Sequence, residues 1–108
     1  MKTGDIVLVP FPFAELSNIK LRPAVVISLT KDKYKDLIVC AISSQIPVRT
    51  SSAETLASPD GSNGLRVRSV IKADRIFTLK KKRVLAVLGR LAVGHLNQFK
   101  NTFVKLVQ

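Results

Sequence analysis

The length of the connections between apolar segments is the feature that most constrains how this chain can fold. Four short runs are rich in Val and Ile: Ile6–Val9, Ala24–Leu29, Leu37–Ile42 and Val84–Leu88. Short apolar runs bounded by turn-forming residues predict β-strands. Only seven residues, Thr30–Asp36, join the second and third runs, whereas a parallel crossover needs about a dozen or more. Three prolines between positions 10 and 23 disfavour a helix there, so we predict antiparallel strands in a small barrel.

The middle of the chain carries a weaker strand signal and a long polar segment. A fifth strand is predicted over Leu65–Arg68, where apolar and charged residues alternate as they do in a half-buried strand. The alternation slips at Ser69–Ile71, which indicates a bulge or a bend. The preceding 18 residues, Pro47–Gly64, are dense in turn formers. A segment of this length is either functional or conceals a short strand.

The C-terminal segment changes from the strand period to the helix period. Leu96, Phe99, Phe103 and Leu106 are spaced by three, four and three residues, which places them on one face of an α-helix. His95 lies at the start of this helix, where we expect a surface or packing role. The 108 residues are enough for one core, so we expect a single domain over residues 1–108.

A large excess of positive charge indicates a polyanionic partner. The 18 Lys and Arg residues against 7 Asp and Glu give a formal net charge of +11 and a pI near 10.4. A folded domain with this charge most often binds nucleic acid, and less often an acidic protein or a membrane surface. No basic amphipathic helix is evident, which disfavours the membrane. The run Lys80–Arg83 is either a solvated turn or part of a binding surface.

The scarcity of Cys and His limits the chemistry that the chain can perform. One Cys and one His, Cys40 and His95, cannot form a zinc site, and the carboxylates are scattered, so we expect no metal or other cofactor. Cys40 lies inside an apolar run, where we expect a buried thiol rather than a reactive one. No apolar run approaches the roughly 18–20 residues that span a bilayer, and Asp5 precedes the first run, which disfavours a signal peptide. We therefore expect a cytoplasmic protein.

Two polar clusters interrupt the predicted strands and are expected to meet. Pro23 restricts Arg22 to extended geometry, and Ser43 follows the third apolar run. If the strands that flank Thr30–Asp36 pair as a hairpin, both side chains lie at the rim away from that turn. A guanidinium beside a hydroxyl can hold a phosphodiester and stabilise the added charge of a phosphorane. By residue type alone, an ordinary polar rim is the simpler explanation, because Arg beside Ser at a rim is common.

Five segments, in order along the chain, resemble the MazF/PemK (Kid) toxins of toxin–antitoxin pairs. They are Gly4–Phe13, Arg22–Ser28, Ala41–Gln45, Val70–Ile76 and Gly89–Leu91. The resemblance implies a mainly β fold, a small SH3-like antiparallel barrel with a C-terminal α-helix. It also implies a homodimer that inhibits growth as a metal-independent, sequence-selective endoribonuclease acting on mRNA.

The same resemblance assigns catalytic roles to Arg22 of the Arg-Pro motif and to Ser43 of the Ala-Ile-Ser segment. The ribose 2′-hydroxyl would attack the adjacent phosphorus, leaving a 2′,3′-cyclic phosphate and a 5′-hydroxyl. Many relatives have Thr at the position of Ser43, and Ser44 offers a neighbouring hydroxyl, so the catalytic alcohol is either of the two. A guanidinium resists deprotonation, so phosphate binding and charge stabilisation are the expected main role of Arg22.

The candidate substrate-binding residues lie in the loops around this rim. Phe13 either stacks on an unpaired base or packs beneath its loop, and Asn18 and Lys20 can reach a base or a phosphate. The remaining candidates are Ser44, Gln45, Arg49, Asp74 and Arg75.

The predicted partners are RNA, a second copy of the chain and a cognate acidic antitoxin whose tail would compete for the same basic groove. Two other functions stay open at this point. One is a poison without catalytic activity that binds DNA gyrase, as the CcdB toxins do, and the other is a nucleic-acid-binding module that does not cleave.

Overall fold

The fold is a six-stranded antiparallel sheet followed by one helix, in a computed structural model that describes residues 1–11 and 20–108. The strands are β1 (Asp5–Pro10), β2 (Leu21–Leu29), β3 (Leu37–Ser43), β4 (Glu54–Ala57), β5 (Ser69–Leu79) and β6 (Ala86–Arg90). Helix α1 spans Val93–Lys105, and a 3₁₀ turn spans Lys81–Arg83. The strand order is β4-β5-β3-β2-β1-β6, and every pairing is antiparallel. The predicted mainly β fold with a C-terminal helix is confirmed, with the sheet curled into a half-barrel.

The curled sheet has an apolar core on each face. The first core gathers Ile6, Val25, Ile42 and Ile71 beneath helix α1, whose Phe99 is buried among them. The second core is formed by Val7, Val9, Ala24, Val26, Leu37 and Val39, with Val84 packed against it. Burial on both faces explains why the strands read as continuous apolar runs and not as alternating patterns.

The alternation of side chains between the two faces of the sheet is interrupted part-way along strand β5. Its pairing with β3 jumps from Lys72 opposite Ala41 to Ile76 opposite Cys40, so three extra residues bulge out of the ladder. Before the bulge, Ile71 belongs to the first core, and after it Phe77 packs against the second. An odd number of extra residues inverts the alternation of side chains, so Phe77 faces the second core and not the first, which unbroken alternation from Ile71 would give it.

Helix α1 covers the first core with the predicted stripe. Phe99 is buried, and Leu96 and Phe103 pack against the core. Leu106 lies just beyond the last helical residue and is exposed. Within residues 1–11 and 20–108, no helix is long and apolar enough to cross a membrane.

Two of the predicted strands differ from the observed ones. The strand predicted over Leu65–Arg68 is wrong, because β5 begins only at Ser69. Neither neighbour can pair with the earlier residues, since β3 ends opposite Val70 and β4 ends opposite Ser69. The strand predicted over Val84–Leu88 lies two residues later, as β6. The long polar segment contains a short strand, β4, which was one of the two alternatives for it.

The end of that polar segment is held closely against β6. Asn63 is fully buried, and its side-chain oxygen accepts the Leu65 N–H at 3.0 Å while its amide nitrogen donates to the Ser58 carbonyl at 2.9 Å. The Arg90 N–H donates to the Ser62 carbonyl at 2.8 Å. This approach requires glycine at position 89, because a Cβ there would lie 2.2 Å from the Ser62 oxygen.

Candidate active site

Arg22 and Ser43 line one cavity of about 170 Å³ at the rim of the sheet. Its other lining residues are Phe11, Ala41, Ile42, Lys72 and Arg75. Ala24 of β2 pairs with Ala41 of β3, so Arg22 and Ser43 each lie two residues further from the connecting turn. A step of two residues keeps both side chains on the same face. The structure therefore brings the two predicted residues together at one rim.

Arg22 is held by an aromatic ring. Its guanidinium carbon lies 5.6 Å from the centroid of the Phe11 ring, within cation–π range. The Phe11 ring in turn meets Phe77 edge-on, with centroids 5.5 Å apart. Sequence reasoning missed Phe11 as a site residue. The available signal was its position two residues after Val9, which puts it on the face of the second core.

The Ser43 hydroxyl is oriented by the turn that follows β3. Its oxygen accepts the backbone N–H of Gln45 at 3.1 Å. A hydroxyl offers one donor and two acceptor positions, so this bond leaves its proton available to a ligand. Ser44 lines a different, larger cavity. The two hydroxyls that the sequence left as alternatives therefore line different cavities.

Three cations surround the smaller cavity. Besides Arg22, these are Lys72, the last paired residue before the β5 bulge, and Arg75, the last residue of the bulge. Sequence reasoning did not single out Lys72, because its place depends on a register that the sequence does not reveal. No carboxylate or imidazole is among the described lining residues, and no ion pair neutralises the three cations within residues 1–11 and 20–108. The cavity is built to attract an anion.

A second cavity of about 700 Å³ adjoins the first and shares Arg22 with it. Two of the predicted substrate-binding residues, Lys20 and Ser44, line it, together with Arg66 and Val67. This combination of apolar wall and cations suits a nucleotide, which presents both a flat base and a phosphate.

The family follows from a comparison over nearly the whole length of the chain. A family described as "PemK-like, MazF-like toxin of type II toxin-antitoxin system" matches residues 2–107. The chain belongs to this family. A search of curated proteins found no matching relative.

Solved structures carry the same MazF-like fold at low sequence identity. An endoribonuclease from a Mycobacterial species, solved in complex with its cognate antitoxin, superposes with a TM-score of 0.75 at 14% identity, over 99% of this chain and 94% of that one. MazF from Deinococcus radiodurans gives 0.70 at 21% identity, over 99% and 96%. The Mycobacterium tuberculosis toxin MazF-mt6 gives 0.70 at 17% identity, over 95% of both.

The other predicted substrate residues are dispersed around this MazF-like fold. Arg75 lines the smaller cavity. Gln45 is exposed and contacts Ser43 through its backbone. Arg49 and Asp74 are exposed and line neither of the two cavities. Phe13 and Asn18 lie outside the described residues.

Neither Cys40, which was expected in the core, nor His95, which was expected in a surface or packing role, lines the two cavities of this MazF-like toxin. Cys40 is fully buried, and burial raises the pKa of its thiol to about 12, so the thiolate is strongly disfavoured. The core role expected for Cys40 is confirmed. His95 lies in the first turn of α1 and is half-buried. Among the described residues, no three His, Cys, Asp or Glu side chains group closely enough to hold a metal ion.

Proposed function

We propose that this MazF-like toxin is a metal-independent endoribonuclease that cleaves single-stranded mRNA and so inhibits translation and growth. The observation that carries the proposal is the meeting of Arg22, Ser43 and two further cations in one cavity. A phosphodiester gains negative charge in the transition state of its cleavage, and fixed positive groups that surround it stabilise that charge.

The reaction is an attack within the substrate. The ribose 2′-oxygen loses its proton and bonds to the adjacent phosphorus, the bond from phosphorus to the 5′-oxygen breaks, and that oxygen takes up a proton. The products are a 2′,3′-cyclic phosphate and a 5′-hydroxyl. DNA lacks the attacking group, so only RNA is cleaved.

Each residue of the cavity has a separate role in this cleavage reaction. Arg22 binds the non-bridging phosphate oxygens through its planar fork, and Ser43 donates its free hydroxyl proton to the same group. Lys72 and Arg75 add positive charge as the phosphorane forms. None of these roles needs a metal ion.

The same basic rim suits an inhibitor. A cognate antitoxin with an acidic segment would be attracted by the charges that attract RNA, so inhibition and substrate binding would overlap. The structurally similar Mycobacterial endoribonuclease was solved with its antitoxin bound. An mRNA substrate also implies that the toxin acts in the cytoplasm.

A homodimer completes the proposal. Leu21 and Val67 are large apolar residues about half exposed on the wall of the larger cavity. A second copy that packs there would remove them from water and bring two cationic rims together.

The decisive experiment compares Arg22→Ala and Ser43→Ala with Lys100→Ala on a single-stranded RNA in EDTA. Lys100 is exposed on α1, so its loss changes the net charge without touching either cavity. We expect cleavage by the wild type and by Lys100→Ala, and a fall of roughly 100-fold or more in kcat/KM for the other two variants. Ser43→Thr should restore most of the activity, and Ser44→Ala should have a smaller effect than Ser43→Ala.

The same variants separate the alternative functions. Growth arrest that persists in both Arg22→Ala and Ser43→Ala would exclude the nuclease and favour a poison of the gyrase-binding kind. Retention of RNA without cleavage by the wild type would favour a simple binding module.

A further inference from the structure

We propose that a distal basic surface at the opposite end of the sheet binds the backbone of a long single-stranded RNA while the cavity holds the scissile phosphate. This surface consists of Lys31, Lys33, Tyr34 and Lys35 in the β2–β3 turn and the run Lys80–Arg83. The proposal rests on the function proposed above and extends it to a second contact with the same substrate.

The strand register brings the two basic segments together. Leu29 pairs with Leu37, and Leu37 pairs with Leu79, so β2, β3 and β5 share this end of the sheet. The β2–β3 turn begins after Leu29, and Lys80 follows Leu79 directly. Two segments that are some 50 positions apart in sequence therefore leave the sheet side by side.

The charge of this surface is exposed and mostly uncompensated. All seven Lys and Arg side chains are exposed, and none forms an ion pair within the described part of the chain. The two carboxylates nearby belong to Asp32 and Asp36. Asp32 accepts the Thr30 hydroxyl at 2.8 Å and the Tyr34 N–H at 3.1 Å, which holds the turn. The two carboxylates offset two of the seven positive charges and leave the surface strongly basic. Seven close cations repel one another, and a polyanion relieves that repulsion.

An exposed aromatic ring favours single-stranded RNA over an acidic protein as the occupant. Tyr34 is 67% exposed, and the Lys33 ammonium lies 5.3 Å from the centroid of its ring. A flat ring flanked by cations stacks an unpaired base while the cations bind phosphates, which is the usual way that proteins hold single strands. An acidic peptide has no base that could stack on the ring.

The residues that flank the two basic segments lie on the face of the sheet that carries Arg22. Arg22 is two residues from Ala24 of the second core and so shares its face, and Leu29, Leu79 and Val84, which flank the basic segments, pack against that core. Leu29 lies seven positions after Arg22 along β2, roughly 23 Å at a rise of about 3.3 Å per residue. That distance corresponds to about seven nucleotides at the stacked spacing of about 3.4 Å.

The test compares a short and a long substrate that share one cleavage sequence. An oligonucleotide of about six nucleotides fills the cavity only, whereas one of about twenty reaches both regions. The variants are Lys81→Glu with Lys82→Glu, and Tyr34→Ala. The control is Lys100→Glu with Lys105→Glu, which changes the charge equally on exposed positions of α1.

We expect the distal variants to raise KM for the long RNA about tenfold and to leave kcat/KM for the short RNA within twofold. For Lys81→Glu with Lys82→Glu, the slope of log KM against log salt for the long RNA should fall by about 1.4, which corresponds to two lost phosphate contacts, whereas Tyr34→Ala should leave this slope unchanged. The control should change both substrates equally and slightly. Equal losses for the long RNA in the distal and control variants would overturn the proposal, because they would reflect net charge alone.

Binding without cleavage separates this proposal from the one it rests on. Fluorescence anisotropy with the twenty-nucleotide RNA and Arg22→Ala measures the distal contact even if the wild type cleaves nothing. Weaker binding after the distal changes in that background supports the surface. Unchanged RNA binding together with lost binding of a poly-glutamate peptide would overturn it in favour of an acidic protein.

Discussion

The guanidinium of Arg22 is positioned by Phe11, 5.6 Å away, and no carboxylate holds it in the described structure. A carboxylate would hold an arginine more strongly, but it would also cancel the charge that a phosphate needs. A cation–π contact contributes about 0.5–1 kcal/mol at an exposed site and leaves the positive charge intact. The aromatic ring therefore orients the side chain without weakening its attraction for an anion.

The buried thiol of Cys40 gives the protein a specific sensitivity to alkaline pH. Burial raises its pKa from 9.0 to about 12, so the unfolded chain loses this proton more readily than the folded one. The thiol's contribution to stability is complete below pH 9 and is lost as the pH rises from 9 towards 12. At pH 10 the loss is about 1.4 kcal/mol, one pKa unit of linkage.

Urea unfolding of the wild type and Cys40→Ala at pH 8 and pH 10 measures this effect. The variant should lose less stability between the two pH values, by about 1.4 kcal/mol. Ionisation of Tyr and Lys occurs in both proteins and cancels in the comparison. Parallel losses in the two proteins would contradict the assignment.

At the level of single residues, the sequence predicted those positions that follow from the ends and directions of the strands. Arg22 precedes a proline and Ser43 ends an apolar run, so a hairpin was enough to predict that they share a rim. Phe11 and Lys72 were not singled out. Phe11 carried a local signal, its position two residues after Val9, whereas the place of Lys72 depends on the register between β3 and β5, which no local pattern encodes.

Among the elements, the contact between the polar segment and β6 depends on a glycine. A Cβ at position 89 would lie 2.2 Å from the Ser62 carbonyl oxygen and 2.6 Å from the Asn63 carbonyl carbon, both backbone atoms. Gly89→Ala should therefore destabilise the fold by about 3 kcal/mol and lower Tm by more than about 10 °C. Gly61→Ala is the matched control, because nothing lies within 4 Å of the added atom. Thermal denaturation followed by circular dichroism compares the two variants. Similar melting temperatures would contradict the prediction, because they would show that the backbone at Ser62 and Asn63 moves away from the added Cβ at little cost.

The elements that were predicted correctly are those whose signal is local. The first three strands are apolar runs, and the helix has its own period. The strand predicted over Leu65–Arg68 failed although its alternation is good, because pairing also needs neighbours that extend far enough. Strand β4 was anticipated only as a short strand hidden in a long segment, since its four residues are too few to show a period.

For the whole molecule, the proposed homodimer makes a clear prediction about mass. Leu21→Glu with Val67→Glu places charges on the apolar wall of the larger cavity, and a second copy cannot pack against them without desolvating those charges. Light scattering should give about twice 11.9 kDa for the wild type and about 11.9 kDa for this variant. Val107→Glu, at an exposed position near the C-terminus, should remain dimeric. A monomeric wild type would remove the homodimer from the proposal.

The overall architecture was predictable because connection lengths restrict topology. A seven-residue link allows only an antiparallel neighbour, and that single restriction leads to a small curled sheet. The strand order could not be predicted, because β4 lies between two long connections and β6 pairs with β1 at the far edge, and no sequence pattern marks either pairing.

The three-residue bulge in β5 has a consequence for how this protein can vary. Ile71 belongs to the first core and Phe77 reaches the second because an odd number of extra residues separates the two halves of the ladder. Inserting or deleting a single residue in the bulge would exchange the two faces for every side chain of β5 after it, whereas a substitution would alter one position only. Engineered diversity in this strand should therefore come from substitutions at constant length.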